Sequence, residues 1–231
     1  MKIQKLKILG IILARKGSKG IPNKNFVKIR NNKRLIDYTI IAAKKSKLLT
    51  KIALTTDDDR IINHSKKYKL DFTIKRQKKY STDYIKSIDV VYDVLKKIKN
   101  YDADLIMLLQ PTSPLRKSSH IDESIELLYK KYKKYNSLVS VSLLEEPHPY
   151  KLKKIKKNFL VPFIKNTSSE IPRQKLDKVY KLNGAIYLIK KNILEGRKTF
   201  FNKTMPYIMS DKFSLNIDTV NDLKFFKKLN V

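Results

Sequence analysis

Short strand-like segments alternate with amphipathic helical segments along most of this chain, and this alternation restricts its fold more than any other feature. The strand candidates, rich in isoleucine, leucine and valine, are Lys7–Ala14, Lys51–Thr56, Phe72–Ile74, Ala103–Leu109, Leu138–Leu144 and Ala185–Ile189. The clearest helical repeat between them is Ile85, Ile88, Val91, Leu95 and Ile98. Strands that alternate with helices predict an α/β domain built on a mainly parallel sheet.

The stretch 145–182 departs from this alternation. It contains four prolines and the lysine-rich run KLKKIKK at 151–157, and it has little helical repeat. We therefore predict a single domain over residues 1–231 in which 145–182 leaves the sheet as an arm. Such an arm is expected to contact a second copy of the chain and to carry residues that reach the substrate.

The chain is strongly basic, because 52 lysines and arginines oppose 21 aspartates and glutamates, for a net charge of +31. This balance is typical of proteins that bind nucleic acid, an anionic membrane surface or a polyphosphate. Lysine, isoleucine and asparagine also have A/T-rich codons, so a biased genome explains the same excess without a polyanionic partner. The charge by itself therefore leaves the partner open.

Composition excludes several classes of protein. No cysteine is present, which excludes disulfides, thiolate nucleophiles and cysteine-ligated metals. The histidines His64, His120 and His148 are far apart and lack metal-ligand spacing, which argues against a zinc hydrolase. No apolar run approaches the roughly 18–20 residues of a membrane span, and no signal-peptide pattern opens the chain. We expect a cytoplasmic protein.

The richest loop is Ala14–Asn25, ARKGSKGIPNKN, which follows the first predicted strand. It combines two glycines and a serine with the cations Arg15, Lys16, Lys19 and Lys24. In a parallel sheet this loop lies at the carboxyl edge, where ligands bind, and exposed backbone N–H groups beside cations suit a polyphosphate. The loop matches neither the GxxxxGK[ST] nor the GxGxxG pattern. On local chemistry alone, a basic turn without function is the alternative.

Five segments extend the pattern of this loop over most of the chain. They are ILARKGSKGIPNKN (Ile12–Asn25), LLQPTSPLR (Leu108–Arg116), IPRQ (Ile171–Gln174), NGAIYL (Asn183–Leu188) and IMSDKFSLNIDTVNDL (Ile208–Leu223). In this order they resemble the motifs of the CMP-sugar synthetases, the cytidylyltransferases that activate N-acylneuraminate and related nonulosonates. The resemblance implies a three-layer α/β/α, Rossmann-like fold similar to the nucleotide-diphospho-sugar transferases. Its sheet would be mixed and mostly parallel, with a small dimerisation excursion.

The resemblance also implies a reaction. The anomeric hydroxyl of a 2-keto-3-deoxy sugar acid would attack the α-phosphate of CTP and expel pyrophosphate, with Mg²⁺ as the divalent cofactor. Charge develops on the phosphate oxygens, so positioning and cations are expected to supply most of the catalysis. The implied partners are CTP, a nonulosonic acid and a second copy of the chain in a homodimer. No specific nucleic acid and no membrane span are expected.

Site residues follow from matching positions in the motifs. Those expected to be catalytic are Arg15, Lys24 and Asp218. Those expected to bind the nucleotide are Arg15, Ser18, Lys24, Asn25, Arg76, Ser81 and Gln110, with Thr82 and Asp83 beside the base. Those expected to bind the sugar are Gln110, Lys151, Arg173 and Asn183, and the metal ligands would be Asp218 and Asn216.

The sequence departs from the family pattern at two of these positions. The family usually presents Asp-x-Asp before a threonine, whereas this chain reads Asn216-Ile217-Asp218-Thr219. One carboxylate is replaced by an amide, so we expect weaker Mg²⁺ binding with the chemistry retained. The second departure is Gln77, which follows Arg76 where the family commonly has proline.

Three alternatives stay open at this point. A different sugar acid, of the legionaminate, pseudaminate or Kdo-like type, would use the same nucleotide motifs. A basic nucleic-acid-binding protein would explain the +31 charge and the stretch Tyr129–Tyr135, although no recognised nucleic-acid module is present. A catalytically impaired homologue would explain Asn216.

Overall fold

The structure is a computed structural model that describes residues 3–18, 20–197 and 199–229. The strands are β1 (Ile8–Leu13), β2 (Lys51–Thr56), β3 (Phe72–Lys75), β4 (Leu105–Leu109), β5 (Ser137–Leu143), β6 (Lys153–Lys156), β7 (Phe159–Pro162), β8 (Tyr180–Lys190) and β9 (Thr204–Ile208). The α-helices are α1 (Leu35–Lys45), α2 (Asp59–Ser65), α3 (Ser87–Lys97), α4 (Ser118–Lys130), α5 (Lys191–Arg197) and α6 (Val220–Lys228). Short 3₁₀ turns join several of them, among them Lys24–Phe26 and Lys66–Tyr68.

Seven strands form one mixed sheet in the order β3-β2-β1-β4-β8-β5-β9. The first four are parallel, and the register places Ile12 of β1 beside Leu109 of β4. β8 runs antiparallel to both β4 and β5, and β9 is parallel to β5. The predicted mixed, mostly parallel α/β sheet is confirmed.

Alternate residues of the inner strands face two separate apolar layers. On β1, Ile8 and Ile12 pack toward α1 and α4, whereas Leu9 and Ile11 pack toward α3 and α5. This two-sided burial explains the nearly continuous apolar runs of β1 and β4, because a strand covered on both faces has no solvent-facing positions. The result is three layers, helices on either side of the sheet.

The carboxyl ends of β1 and β4 lie side by side at one edge of the sheet. The chain after β1 continues to β2 on one side, whereas the chain after β4 continues to β5 on the other side. Neighbouring strands whose connections run in opposite directions along the sheet open a crevice between their carboxyl ends, and ligands of such sheets bind there.

A third apolar cluster lies beneath this edge. It packs Ile21 of the loop after β1 against Leu35 of α1, Ile217, and Leu223 and Phe226 of α6. Ile217 and Leu35 are completely buried. The loop after β1 and the segment before α6 are therefore held together by a shared apolar core.

Residues 144–179 leave the main sheet between its antiparallel neighbours β5 and β8. They contain the separate two-stranded sheet β6-β7, and the base of the excursion is closed by the Leu144 N–H donating to the Val179 carbonyl at 2.8 Å. Its tip carries apolar side chains in solvent, with Ile155 78% exposed and Phe159 72% exposed. Among the described residues, no helix is long and apolar enough to cross a membrane.

Candidate functional site

A polar cavity of about 360 Å³ opens at the carboxyl ends of β1 and β4. Eight of the sequence-predicted site residues line it: Arg15, Ser18, Lys24, Asn25, Arg76, Gln110, Asn216 and Asp218. They come from four separate parts of the chain, so the fold brings together residues that lie up to about two hundred positions apart. The cavity holds more fixed positive than negative groups, which suits an anionic ligand.

Three hydrogen bonds that involve its backbone fix the conformation of the loop after β1. The Ala14 N–H donates to the Thr55 carbonyl at 3.0 Å, which prolongs the pairing of β1 with β2. The Lys16 N–H donates to Asp57 Oδ1 at 2.7 Å, and Asn25 Nδ2 donates to the Arg15 carbonyl at 3.0 Å. The loop therefore closes on itself and presents Arg15 and Asn25 to the same cavity. Lys19, its remaining predicted cation, lies outside the described residues.

Lys24 joins this loop to the segment before α6. Its Nζ donates to the Ile217 carbonyl at 2.8 Å and to Asp218 Oδ1 at 3.0 Å. Gly20 approaches the same segment so closely that a Cβ there would lie 2.5 Å from the Asp218 carbonyl oxygen. Only a residue without a side chain fits at this point, because the atom it would meet belongs to the backbone.

Asn216 faces the cavity beside Asp218. Its Nδ2 donates to Asp218 Oδ2 at 2.5 Å, while its Oδ1 is buried and accepts no hydrogen bond within the described part of the chain. Both carboxylate oxygens of Asp218 therefore have protein donors, one from Lys24 and one from Asn216. An aspartate at position 216 could not donate in this way.

Gln110 lies at the end of β4 under a bulge of β8. Gly184 adopts φ +73°, and a Cβ there would lie 3.0 Å from Gln110 Oε1 and 3.8 Å from Asn216 Oδ1. The positive φ and the close approach both favour glycine. The bulge, where the β5–β8 register shifts, thus brings β8 against the two amides of the cavity wall.

Two arginines give the cavity its charge. Arg76 is 5% exposed, its Nη2 donates to the Thr55 carbonyl at 2.9 Å, and burial lowers its pKa to about 10. Its Nε has no hydrogen-bond acceptor among the described residues. The guanidinium of Arg15 donates to Asp83, another cavity residue. Arg76 remains charged at neutral pH, so the cavity keeps a desolvated cation ready for an anion.

Several cavity residues were not predicted from the sequence. Besides Thr82 and Asp83, which were expected beside Arg76, the wall includes Tyr80, Ile85, Ser87, Val90 and Thr112. Ser87 is the first residue of α3, so that helix directs its N-terminus to the cavity. The available signal was the start of the apolar repeat near Ile85, but periodicity alone does not reveal which way a helix end faces.

Arg116 supports the site without lining the cavity. It is buried, and its Nη1 donates to the carbonyls of Gln110 at 3.1 Å and Ala185 at 2.9 Å. Burial lowers its pKa to about 9. These bonds tie the turn after β4 to β8 and fix the backbone of Gln110.

Four predicted site residues lie outside this cavity. Ser81 donates its hydroxyl to the Gln77 carbonyl at 3.2 Å and stands between two cavity residues. Asn183 lines an adjoining cavity of about 500 Å³ that shares Asn216 with the first. Its amide is held by the buried hydroxyls of Ser140 at 2.6 Å and Ser214 at 3.0 Å.

Lys151 and Arg173, the basic residues predicted to meet the sugar, lie on the excursion. Lys151 Nζ is 3.6 Å from a carboxylate oxygen of Glu146, and Arg173 lies 3.8 Å from Glu145 and 3.9 Å from Glu146. A single chain does not bring these two cations to the cavity. Exposed pairs at these distances contribute little stability, so both side chains are available for other partners.

Asp218 and Asn216 offer a small oxygen donor set for a cation. Residues 3–18, 20–197 and 199–229 contain no group of three or more His, Cys, Asp or Glu side chains that could hold a metal. The Asp218 carboxylate and the unpartnered buried Asn216 Oδ1 are nevertheless hard oxygen ligands on one cavity wall. Mg²⁺ is commonly held by one or two carboxylates together with substrate phosphates, so the two residues fit such an ion.

Comparison with known proteins gives consistent results. A family model described as cytidylyltransferase matches residues 9–229. An N-acylneuraminate cytidylyltransferase of Escherichia coli O18:K1:H7 is 34% identical over 219 residues, which cover 94% of this chain and 51% of that protein. A CMP-N,N'-diacetyllegionaminic acid synthase of Legionella pneumophila is 31% identical over 228 residues, which cover 97% of this chain and 96% of that protein.

The chain thus spans about half the length of the Escherichia coli relative and nearly all of the Legionella one. Among solved structures, a CMP:2-keto-3-deoxy-manno-octonic acid synthetase complexed with CTP superposes with a TM-score of 0.72 at 15% identity. That alignment covers 96% of this chain and 97% of the other. It shows the shared fold.

The contact between Gly20 and Asp218 makes a prediction about stability. Gly20→Ala should lower the free energy of unfolding by about 1–3 kcal/mol, because the new Cβ must displace backbone. Gly17→Ala is the matched control, since a Cβ at Gly17 meets nothing within 4 Å. Denaturant unfolding of the two variants measures the difference, and equal stabilities would contradict the tight docking of the loop.

Proposed function

The chain belongs to the cytidylyltransferase family, and on that premise we propose that it transfers CMP from CTP to a nonulosonic acid with release of pyrophosphate. The observation that carries the proposal is the cationic cavity at the carboxyl ends of β1 and β4, where Arg15, Lys24 and Arg76 converge. Relatives named N-acylneuraminate cytidylyltransferase and CMP-N,N'-diacetyllegionaminic acid synthase support the sugar-acid class. We also propose that the protein acts in the cytoplasm, where CTP is available as a substrate.

In the proposed reaction the anomeric hydroxyl oxygen of the sugar acid forms a bond to the α-phosphorus while the bond to the pyrophosphate oxygen breaks, and the hydroxyl proton is released to water. Lys24 and Arg15 hold the triphosphate and offset the charge that grows on its oxygens. Arg15 exchanges the carboxylate of Asp83 for a phosphate in this step. Buried Arg76 offers a cation that needs no reorganisation, and Gln110 orients the reactants from the end of β4.

Asp218 and Asn216 are the residues proposed to hold Mg²⁺. When bound, this ion would neutralise phosphate charge and polarise the phosphorus–oxygen bonds. In the protein itself Asp218 orients Lys24 through their 3.0 Å contact. Lys24, Asn216 and Asp218 together carry no net charge, because the negative Asp218 offsets the positive Lys24 and Asn216 is neutral. A lower affinity for Mg²⁺ is the expected consequence.

The sugar acid is proposed to be of the N-acylneuraminate type. A legionaminate-, pseudaminate- or Kdo-like acid is the alternative, since the cavity residues handle the nucleotide more than the sugar substituents. The adjoining cavity beside Asn183 and Asn216 offers room for the sugar. A nucleic-acid-binding role has less support, because it does not explain why eight residues from separate motifs line one cavity.

The chain is further proposed to act as a homodimer through the excursion at 144–179. The exposed side chains Ile155, Phe159, Leu160 and Phe163 form an apolar tip of the kind that marks an interaction site. A second copy that covers this tip would bring the excursion's cations, Lys151 and Arg173, toward the partner's cavity. Both cations lie apart from the cavity of their own chain, which supports this arrangement.

The reaction itself is tested by pyrophosphate release from CTP and Mg²⁺ with N-acetylneuraminate, legionaminate, pseudaminate or Kdo, and with no sugar. We expect release with one of the four. Lys24→Ala should slow it about 100-fold or more, because the cation contacts the transferring group. Lys16→Ala, which removes an exposed lysine of the same loop, should change it little.

Direct binding measurements separate the possible failures of that test. Silence across the panel from folded protein that binds CTP would favour an impaired homologue or an untested sugar. A folded protein that does not bind CTP would overturn the proposed function.

The metal proposal predicts the effect of Asn216→Asp. The added carboxylate should lower the Mg²⁺ concentration that gives half-maximal rate, because a second negative oxygen ligand strengthens the site. Without Mg²⁺ the same variant should be less stable, since two carboxylates then lie side by side. Thermal unfolding with and without Mg²⁺ gives a second readout, and an unchanged Mg²⁺ requirement together with unchanged unfolding would refute this account.

The dimer proposal predicts a change in sedimentation. Wild-type protein should sediment as a dimer at micromolar concentration, and Phe159→Asp should shift it toward monomer by placing a charge in the buried interface. Phe201→Asp is the control, since Phe201 is also an exposed phenylalanine, at 52%, but lies outside the excursion. A wild-type monomer would contradict the proposal.

A further inference from the structure

The substrate-binding loop continues past Asn25 into an aromatic residue that the proposed reaction does not use. Lys24 and Asn25 line the cavity, and Phe26 ends the same 3₁₀ turn. The Phe26 N–H donates to the Asn23 carbonyl at 2.8 Å. Whatever fixes Asn23 and Phe26 therefore fixes the two cavity residues between them.

Helix α2 contacts both ends of this turn. Arg60 Nη2 donates to Asn23 Oδ1 at 2.7 Å, and the His64 ring meets Phe26 edge-on with 5.5 Å between centres. Arg60 and His64 are four residues apart, so they lie on one face of the helix. That face is turned toward the loop.

A buried carboxylate orients each of these two side chains on the side away from the loop. His64 Nε2 lies 2.7 Å from Oδ1 of Asp37, a carboxylate with no solvent exposure. The two groups lie within hydrogen-bond distance, so Asp37 orients the His64 ring. Arg60 donates from Nε and Nη2 to the two oxygens of buried Asp58, at 2.9 and 2.6 Å. Both contacts with the loop are therefore fixed in direction.

The carboxylate behind His64 also belongs to the start of α1. Asp37 Oδ2 accepts from the Arg34 N–H at 2.8 Å, and the pKa of Tyr68 is raised by burial first and by nearby Asp37 second. The Arg34 guanidinium stacks on the Phe26 ring at 3.6 Å from its centre and donates to the Phe26 carbonyl at 2.8 Å. Phe26 is thus enclosed by Arg34, Arg60 and His64.

We infer that α2 positions the substrate-binding loop: His64, oriented by Asp37, and Arg60, oriented by Asp58, hold Phe26 and Asn23 and so fix Lys24 and Asn25 in the cavity. His64, Arg60 and Asp37 are positioning residues, since they act through the loop and not on the ligand. Their loss should weaken ground-state binding of the triphosphate more than it slows turnover, because the cations remain but are less ordered. The inference rests on CTP as the ligand of the cavity.

The test compares His64→Leu with His120→Leu. His120 is a matched control, because its ring also meets a phenylalanine edge-on, Phe213 at 4.8 Å, but on α4. The dissociation constant for CTP, measured by calorimetry without sugar acid, should rise about tenfold in His64→Leu and stay within about twofold in His120→Leu. The KM for CTP should rise in parallel while kcat changes less.

A second variant covers the case in which His64→Leu fails to fold. Arg60 is half-exposed, and Arg60→Lys keeps the charge while losing the forked contact with Asp58 and the Nη2 hydrogen bond to Asn23. Its dissociation constant for CTP should rise about threefold or more. Unchanged CTP binding in this folded variant and in folded His64→Leu, or an equal loss in His64→Leu and His120→Leu, would overturn the inference. Wild-type protein that binds no CTP would instead refute the proposed function.

Discussion

The parallel pairing of β1 with β4 is the constraint on which the rest of the site depends. Because Ile12 and Leu109 are register partners, the chain leaves both strands at the same height, and Arg15 and Gln110 emerge beside each other. The connections then run in opposite directions along the sheet, to β2 from one strand and to β5 from the other, which keeps the space between the strand ends open. Apolar burial on both faces maintains the pairing, so the core determines where the polar cavity forms.

A second layer of organisation comes from contacts between the loop after β1 and the segment before α6. The apolar pair Ile21 and Ile217 carries the packing, and Lys24 adds hydrogen bonds directed into the cavity. Gly20 lets the two backbones approach. The same residues therefore serve folding and ligand binding. The Lys24 ammonium group, which would otherwise be mobile on the surface, is held in place before any ligand binds. Preorganisation of this kind lowers the entropy that binding costs.

The sequence predicted the fold well where the apolar patterns were strong. The buried strands β1, β2 and β4 were predicted nearly residue by residue, because a strand covered on both faces is a continuous apolar run. β9 was missed, since its residues Thr204–Ile208 include Pro206, and proline is tolerated there only because the strand lies at the sheet edge. The direction of β8 was also beyond reach, because its hydrophobic pattern is the same in a parallel or an antiparallel neighbour.

The grouping of the candidate site residues was also predictable, from motifs instead of apolar patterns, and their roles stay predictions. Eight residues were placed by motif and do line one cavity, whereas Asp37 and His64 gave no signal in the sequence. The two residues are 27 positions apart in the sequence, on α1 and α2. Neither belongs to a motif, and their separation matches no known pattern of paired residues. Lys151 and Arg173 are the opposite case. Motifs predict that they bind the sugar, but a single chain does not bring them to the cavity.

The antiparallel pairing of β5 with β8 has a consequence for how such a chain can change over time. Residues 144–179 are in effect one long hairpin connection between adjacent strands, closed at its base by a single backbone hydrogen bond. The entropic cost of closing such a connection grows only slowly with its length, and the sheet is insensitive to what the connection contains. Insertions and deletions can therefore accumulate in this connection while the strand pairing of the main sheet is retained.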